Sequence, residues 1–268
     1  MATFVLVPGA WLGGWAFRRV TPRLRAAGHD VHPVTLTGLG DRAHLARPEV
    51  DLDTHITDVV RAIETEDLED VVLVGHSYAG VVVTGVADRI PERIGDLVYL
   101  DSGPVPADSR YVDSSSPEAK ALIERRVAER GDGWRLPMPS WEELDQVFGA
   151  SLEGLGAAER ALLRSHAADH PFGTYTQPLR LEGADRTRLR SLVILCTFTV
   201  AQIEELIAAG HPWGRELSGP QWRLVELPTG HWPQLSRPGD LADLLDRLAA
   251  GGPEAIAATP ASAAARGR

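Results

Sequence analysis

The sequence predicts an α/β fold with a mostly parallel central sheet and helices on both faces. Short apolar runs rich in Val and Leu alternate with longer helical patterns along the chain, and strands separated by helices build a parallel sheet that is buried on both sides. Length fits this, since 268 residues suffice for one large domain or two small ones with a substantial core.

The first strand is expected at Phe4 to Val7, an apolar run leading straight into Pro8-Gly9. The start has no basic n-region, so it reads as a strand and not as a secretory signal. A helix over Trp15 to Ala27 leads to a strand at Val31 to Leu36, and a helix at Thr54 to Glu64 to a strand at Asp70 to Val74. Ala79 to Arg89 is the next helix and Leu97 to Leu100 the next strand. After Asp101 the regularity breaks: Gly103, Pro104 and Pro106 precede Ser114-Ser115-Ser116-Pro117 and a polar, helix-prone stretch to about Arg190. An insertion at the carboxyl ends of core strands is placed to cover a ligand crevice. Residues 104–190 are therefore expected to form a cap or lid on a core of 1–103 and 191–250. Strands at Leu192 to Cys196 and Arg223 to Leu227 and a helix at Asp240 to Leu248 complete that core. The alanine-rich stretch 251–268 has almost no large apolar side chain and is expected to be a loose tail.

Composition narrows function. With 44% apolar and 24% charged residues the chain reads as globular, and no apolar run approaches the roughly 18 residues of a membrane helix. A cytoplasmic protein without membrane attachment is expected. The formal charge of −10 disfavours a nucleic-acid partner, which needs a clustered positive field. The single cysteine, Cys196, excludes an intramolecular disulfide and a cysteine-rich zinc site.

The most informative segment is Val71-Val72-Leu73-Val74-Gly75-His76-Ser77-Tyr78-Ala79-Gly80-Val81. An apolar strand runs directly into a serine with small residues two positions to either side, then into an apolar helix. A nucleophile elbow demands this pattern, because only small flanking residues let strand and helix approach so closely around a strained serine. The turn places Ser77 at a helix amino terminus, where backbone N–H groups favour a developing oxyanion; Tyr78 would supply one of them. Ala79 stands where the motif usually has glycine. His76 is expected to point into the core or the cap floor.

A serine hydroxyl needs a base, and in the Ser-acid-His order that base comes late in the chain. His231, in Leu227-Pro228-Thr229-Gly230-His231-Trp232, fits this best. His29, His32, His44 and His55 come early, His166 and His170 lie in the inserted segment, and His211 lies in a helical region. The acid that orients the imidazole has no obvious place after the strand ending near Cys196. Asp101 ends an earlier strand, 24 residues after Ser77, which leaves room for one helix and one strand; a turn-forming role before Ser102-Gly103-Pro104 is its alternative. Glu204 and Glu205 are the other carboxylates to weigh.

On Phe4 to Trp15, the Gly75 to Gly80 elbow and the Gly230-His231 loop, the chain resembles the α/β-hydrolase superfamily. It is most similar to the plant methyl esterases, hydroxynitrile lyases and their bacterial relatives. The resemblance spans most of residues 3–248 and implies the α/β-hydrolase fold with a helical cap inserted after the strand ending at Asp101. It also implies a second oxyanion donor in the loop after the first strand, here the Ala10 N–H. The glycines at 9, 13 and 14 suit a backbone that approaches a substrate oxygen. Lyases of this group carry a threonine and a lysine where this chain has Gly9 and Trp232, which speaks against cyanohydrin cleavage. An acid after the earlier strand resembles some dehalogenases and epoxide hydrolases, but those use an aspartate nucleophile.

These readings converge on a cofactor-free serine hydrolase of a small-molecule ester or thioester, with Ser77 as nucleophile, His231 as base and Asp101 as acid. Acyl transfer, lactone or polyketide processing, and a non-hydrolytic receptor on the same fold are the alternatives. Trp11 and Trp232 adjoin the inferred catalytic positions and are expected to contact substrate. No metal is expected: His166 and His170 stand one helical turn apart in sequence, but Ala167 replaces the glutamate of a zinc-protease motif. Pairing of two chains through the cap or a sheet edge is left open.

Overall fold

Strand and helix positions follow from the apolar pattern, and a computed structural model describes them for residues 1–184, 189–210, 216–217 and 221–251. In chain order the core contains β1 (Thr3–Val7), α1 (Thr21–Ala26), β2 (Asp30–Pro33), α2 (Leu52–Thr65), β3 (Val71–His76), α3 (Ala79–Arg89) and β4 (Ile94–Leu100). An intervening segment holds α4 (Pro117–Arg130), β5 (Arg135–Leu136), α5 (Trp141–Gln146), α6 (Ala157–His166), β6 (His170–Pro171) and α7 (Gly173–Thr176). The core resumes with β7 (Arg190–Leu195), α8 (Val200–Ala208), β8 (Trp222–Glu226), α9 (Pro233–Ser236) and α10 (Pro238–Gly251).

Six strands form one sheet in the order β2-β1-β3-β4-β7-β8, and every pairing is parallel. Alternation along each strand divides the core in two. Phe4 and Leu6 of β1 join Val72, Val74, Leu24 and Leu241 on one face, whereas Val5 and Val7 join Leu73, Ile56 and Val83 on the other. Successive strand side chains point to opposite faces, so both faces of an apolar strand are covered. Truncating a side chain such as the fully buried Leu24 to alanine would cost about 2–5 kcal/mol.

Several boundaries differ from those expected, each for a local reason. β2 stops at Pro33 because the chain turns away: Thr35 Oγ1 accepts from Gly14 N and Thr37 N donates to Asp58. The helix expected over Trp15 to Ala27 divides into a 3₁₀ turn at Gly14–Phe17 and α1, which starts with Pro22 in its first turn, where a missing N–H costs nothing. α2 begins at Leu52 because Asp51 and Thr54 form a capping box. β7 starts at Arg190, expected in the inserted segment, and ends before Cys196, whose N–H turns to the Asp101 carboxylate. α10 extends to Gly251. His211 and the alanine-rich stretch 252–268 lie outside the described residues. Among the described residues no helix is long and apolar enough to cross a membrane.

Candidate active site

β3 runs into Ser77 with no intervening loop, and α3 begins two residues later at Ala79. The backbone of Ser77 is left-handed, with φ of 53°. Gly75 must stay small for this turn to close, since a Cβ there would lie 2.7 Å from Val83 and 2.8 Å from the Ala79 carbonyl. The Ser77 N–H donates to Leu100 O at 3.1 Å, and Ser102 Oγ donates to Ser77 O at 2.6 Å, so the elbow is tied to the end of β4.

Ser77 Oγ lies 2.8 Å from His231 Nε2, and His231 Nδ1 lies 2.6 Å from Asp101 Oδ2. A carboxylate only accepts, so Nδ1 carries the proton and Nε2 is free to accept from the serine hydroxyl. The structure thus brings together Ser77, His231 and Asp101, the three residues expected from sequence. Glu204 and Glu205 are exposed on α8.

Asp101 shows how a carboxylate from β4 can serve this site. Its backbone is left-handed at φ 44°, and its N–H donates to Ile194 O. Oδ1 accepts from Cys196 N at 2.9 Å and Thr197 N at 3.0 Å, both just past β7. Burial alone would raise its pKa. The hydrogen bond and charge of His231, with the Thr197 and Cys196 N–H groups, outweigh that and hold the carboxyl down at about 2.

The His231 loop has its own support. His76, expected in the core or cap floor, is buried, but its Nε2 lies 2.7 Å from the His231 carbonyl. It must donate there, and burial first, then the nearby His231, hold it neutral with a pKa lowered to about 3. His231 N donates to Ser151 O and Gly230 N to Glu153 O, which fixes the loop against the segment between β4 and β7.

Both expected oxyanion donors are available. Neither Ala10 N nor Tyr78 N has a hydrogen-bond partner among the described residues. Gly9 packs against the nucleophile so tightly that a Cβ would come within 2.9 Å of Ser77 Cβ and 2.8 Å of His76 Nδ1. Below, the Tyr78 hydroxyl meets His55 Nδ1 at 2.9 Å, while His55 Nε2 bonds Thr37 O at 2.8 Å. Because Nε2 must donate to that carbonyl, Nδ1 accepts from tyrosine. Burial keeps this imidazole neutral, with a pKa of about 4.

A cavity of about 490 Å³ opens above Ser77. Trp11 and Trp232 line it as expected, and Tyr111, Phe148 and Tyr175 of the intervening segment contribute further aromatic wall. Tyr111 and Phe148 escaped sequence reading because nothing local distinguishes them from core aromatics. His166 and His170 do not share a helical turn: α6 ends at His166, and His170 sits in β6 with its ring bonded to Trp11 N and Thr174. No group of three or more metal-ligating side chains occurs among the described residues.

A family model described as "Alpha/beta hydrolase family" matches residues 4–244. The chain belongs to the α/β-hydrolase family. This α/β-hydrolase is 38% identical over 249 residues to the "Carbendazim hydrolyzing esterase" of Nocardioides sp. (strain SG-4G), covering 92% of this chain and all of that protein. It is 28% identical to the "Pyrethroid hydrolase" of Sphingobium wenxiniae, covering 90% and 85%. Among solved structures, an extracellular α/β-hydrolase from a Paenibacillus species superposes with a TM-score of 0.75 at 23% identity, over 91% of this chain and 98% of that one. Plant methylesterases and an α-hydroxynitrile lyase of Arabidopsis thaliana match over shorter stretches, which places the α/β-hydrolase beside the plant group expected from its sequence.

Proposed function

We propose that this hydrolase cleaves a small, uncharged ester or thioester through an acyl-enzyme on Ser77. The observation that carries the reading is the continuous relay from Ser77 Oγ through His231 to a buried Asp101 carboxylate. Ser77 attacks the carbonyl carbon as its proton passes to His231 Nε2. The negative charge that develops on the carbonyl oxygen is held by the Ala10 and Tyr78 N–H groups. Collapse breaks the bond to the alcohol or thiol, which takes the proton back from His231. Water then repeats the sequence on the acyl-enzyme and releases the acid. Asp101 keeps the imidazole in the tautomer that can accept and stabilises its cation.

The cavity supports the substrate class. It is walled mainly by apolar and aromatic groups, and its described lining contains no lysine or arginine. An acyl group on a phosphate-bearing carrier would find no counter-charge there. The segment between β4 and β7 acts as the cap, since Tyr111, Ile123, Leu144, Phe148 and Tyr175 of its described residues form one side of the cavity.

Covalent labelling with a fluorophosphonate, read by intact mass and peptide mapping, tests this, alongside a hydrolysis panel of aryl esters, alkyl thioesters and carbendazim. One adduct on Ser77 with turnover of at least one ester is the expected result. A folded protein that takes no adduct and turns over none of the panel overturns the reading in favour of a non-hydrolytic receptor, and a product carrying an added alcohol or amine identifies acyl transfer.

A further inference from the structure

Trp11 follows the Ala10 donor, and its backbone is left-handed at φ 65°, a conformation that bulky residues rarely adopt. Three contacts hold it there, and all come from the cap. The Trp11 N–H donates to His170 Nδ1 at 3.2 Å, its carbonyl accepts from Ala168 N at 3.0 Å, and its indole Nε1 donates to Leu136 O at 2.9 Å. Leu136 and His170 face each other across the antiparallel β5–β6 ribbon, so one small ribbon grips both backbone and side chain.

The donor inventory fixes the state of His170. A backbone N–H can only donate, so Nδ1 is unprotonated and the proton sits on Nε2, 2.9 Å from Thr174 Oγ1. That hydroxyl in turn donates to Pro171 O at 2.8 Å. His170 is fully buried, and an imidazolium would set two N–H groups against each other at Trp11. The Trp11 N–H lies in the peptide plane that follows Ala10, so pinning it fixes the plane beside the oxyanion donor.

We propose that His170 is a positioning residue of the oxyanion hole: acting through Trp11, it holds the Ala10 N–H in donor geometry and makes the β5–β6 ribbon and the oxyanion loop one unit. This rests on Ala10 as donor to a Ser77 acyl transfer. The ribbon end of the cap cannot lift without releasing Trp11, whereas the cavity residues Ser114, Ser116, Gln146 and Phe198 are exposed.

Two substitutions separate the two bonds of this imidazole. His170→Asn keeps an acceptor near the Nδ1 position and loses the contact to Thr174; His170→Gln does the reverse. The expected result is that the glutamine variant loses on the order of ten- to a hundredfold in kcat for an aryl ester, with KM within about threefold. Its affinity for a trifluoromethyl ketone, which forms an oxyanion on Ser77, falls by the same factor. The asparagine variant keeps kcat within about threefold of wild type. Equal losses in both variants, or a loss carried by KM, overturn the proposal. If neither variant folds, Thr174→Val reads the same imidazole from its other nitrogen: without the hydroxyl that accepts from Nε2–H, the proton moves to Nδ1 and opposes the Trp11 N–H, so a lower kcat at unchanged KM is expected and a wild-type kcat overturns the proposal. Wild-type labelling by fluorophosphonate, run in parallel, keeps failure of the acyl-enzyme reading distinct, because only that failure removes the adduct from the unmodified protein.

Discussion

Among the described residues, seven other than glycine have left-handed backbones, and they fall into two groups. Asp67, Asp70, Asp108 and Asp132 are exposed in turns, where a short polar side chain tolerates this conformation. Trp11, Ser77 and Asp101 stand just beyond β1, β3 and β4, along one edge of the sheet. None of the edge residues is there for turn chemistry. Each is held by partners far away in sequence: Trp11 by Leu136, Ala168 and His170, Ser77 by Leu100, Ser102 and His231, and Asp101 by Ile194, Cys196, Thr197 and His231. Strain that needs so many tertiary bonds persists only where the surroundings over-determine it, and this tends to mark a working site.

The comparison predicts large losses on one side and small ones on the other. Ser77→Ala removes the nucleophile while fitting the same space, so ester hydrolysis should fall by at least about 10⁴-fold with no change in fold, read by steady-state rates and circular dichroism. Asp101→Asn comes next. Its amide oxygen can still accept from Cys196 and Thr197, but its NH₂ would face His231 Nδ1–H, which favours the wrong tautomer. A loss of about 10²- to 10⁴-fold in kcat is expected, and a near-wild-type rate would remove Asp101 from the relay.

Gly9→Ala tests the oxyanion loop while leaving every side chain of the relay chemically unchanged. The added Cβ would press on Ser77 and His76 within 2.9 Å, which displaces the loop from the nucleophile. A fall of about 10²-fold in kcat/KM is expected, since a misplacement near 1 Å costs that much. An unaffected rate would mean that Ala10 is not a donor.

Legibility from sequence follows the same division. Ser77 could be read because its elbow is local: strand, small residues, serine and helix are contiguous from Val71 to Val83. His231 could be read from chain order. Asp101 could be placed at a strand end, with Glu204 and Glu205 as alternatives, but its contacts could not be read, because the N–H groups of Cys196 and Thr197 that hold its carboxylate arrive through the parallel pairing of β4 with β7. The function of His170 was invisible, since its partner Trp11 lies 159 residues away. In sequence it looked like half of a histidine pair on a helix. The strand at Val31 was legible in place but not in length, because the departure after Pro33 depends on Asp58 and Gly14.

The buried histidines give the edge a pH signature. His55 and His76 have pKa values lowered to about 4 and about 3, chiefly by burial, against 6.5 when unfolded. Between these values the unfolded chain binds more protons than the native one, so stability is full above about pH 6.5 and is lost as pH falls toward 4. Each contributes roughly 3 kcal/mol over that range. Tm should therefore drop on acidification from pH 7.5 to 5, and His55→Gln should flatten the slope although it lowers Tm at neutral pH. An unchanged slope would mean that His55 is not held neutral in the native state.

The smallest effect belongs to the exposed group, and it closes the comparison. At Asp67 the backbone has φ of 50°, and the side chain pairs with Arg93 on the surface. Asp67→Gly relieves the conformation, because glycine enters the left-handed region freely, and removes a solvent-exposed ion pair of little worth. The two changes oppose each other, so Tm should move by no more than about 3 °C and ester hydrolysis not at all. If this variant lowered kcat as Gly9→Ala is expected to, the left-handed residues of the surface and of the sheet edge would be coupled through the fold, and backbone strain would no longer distinguish the site from its periphery.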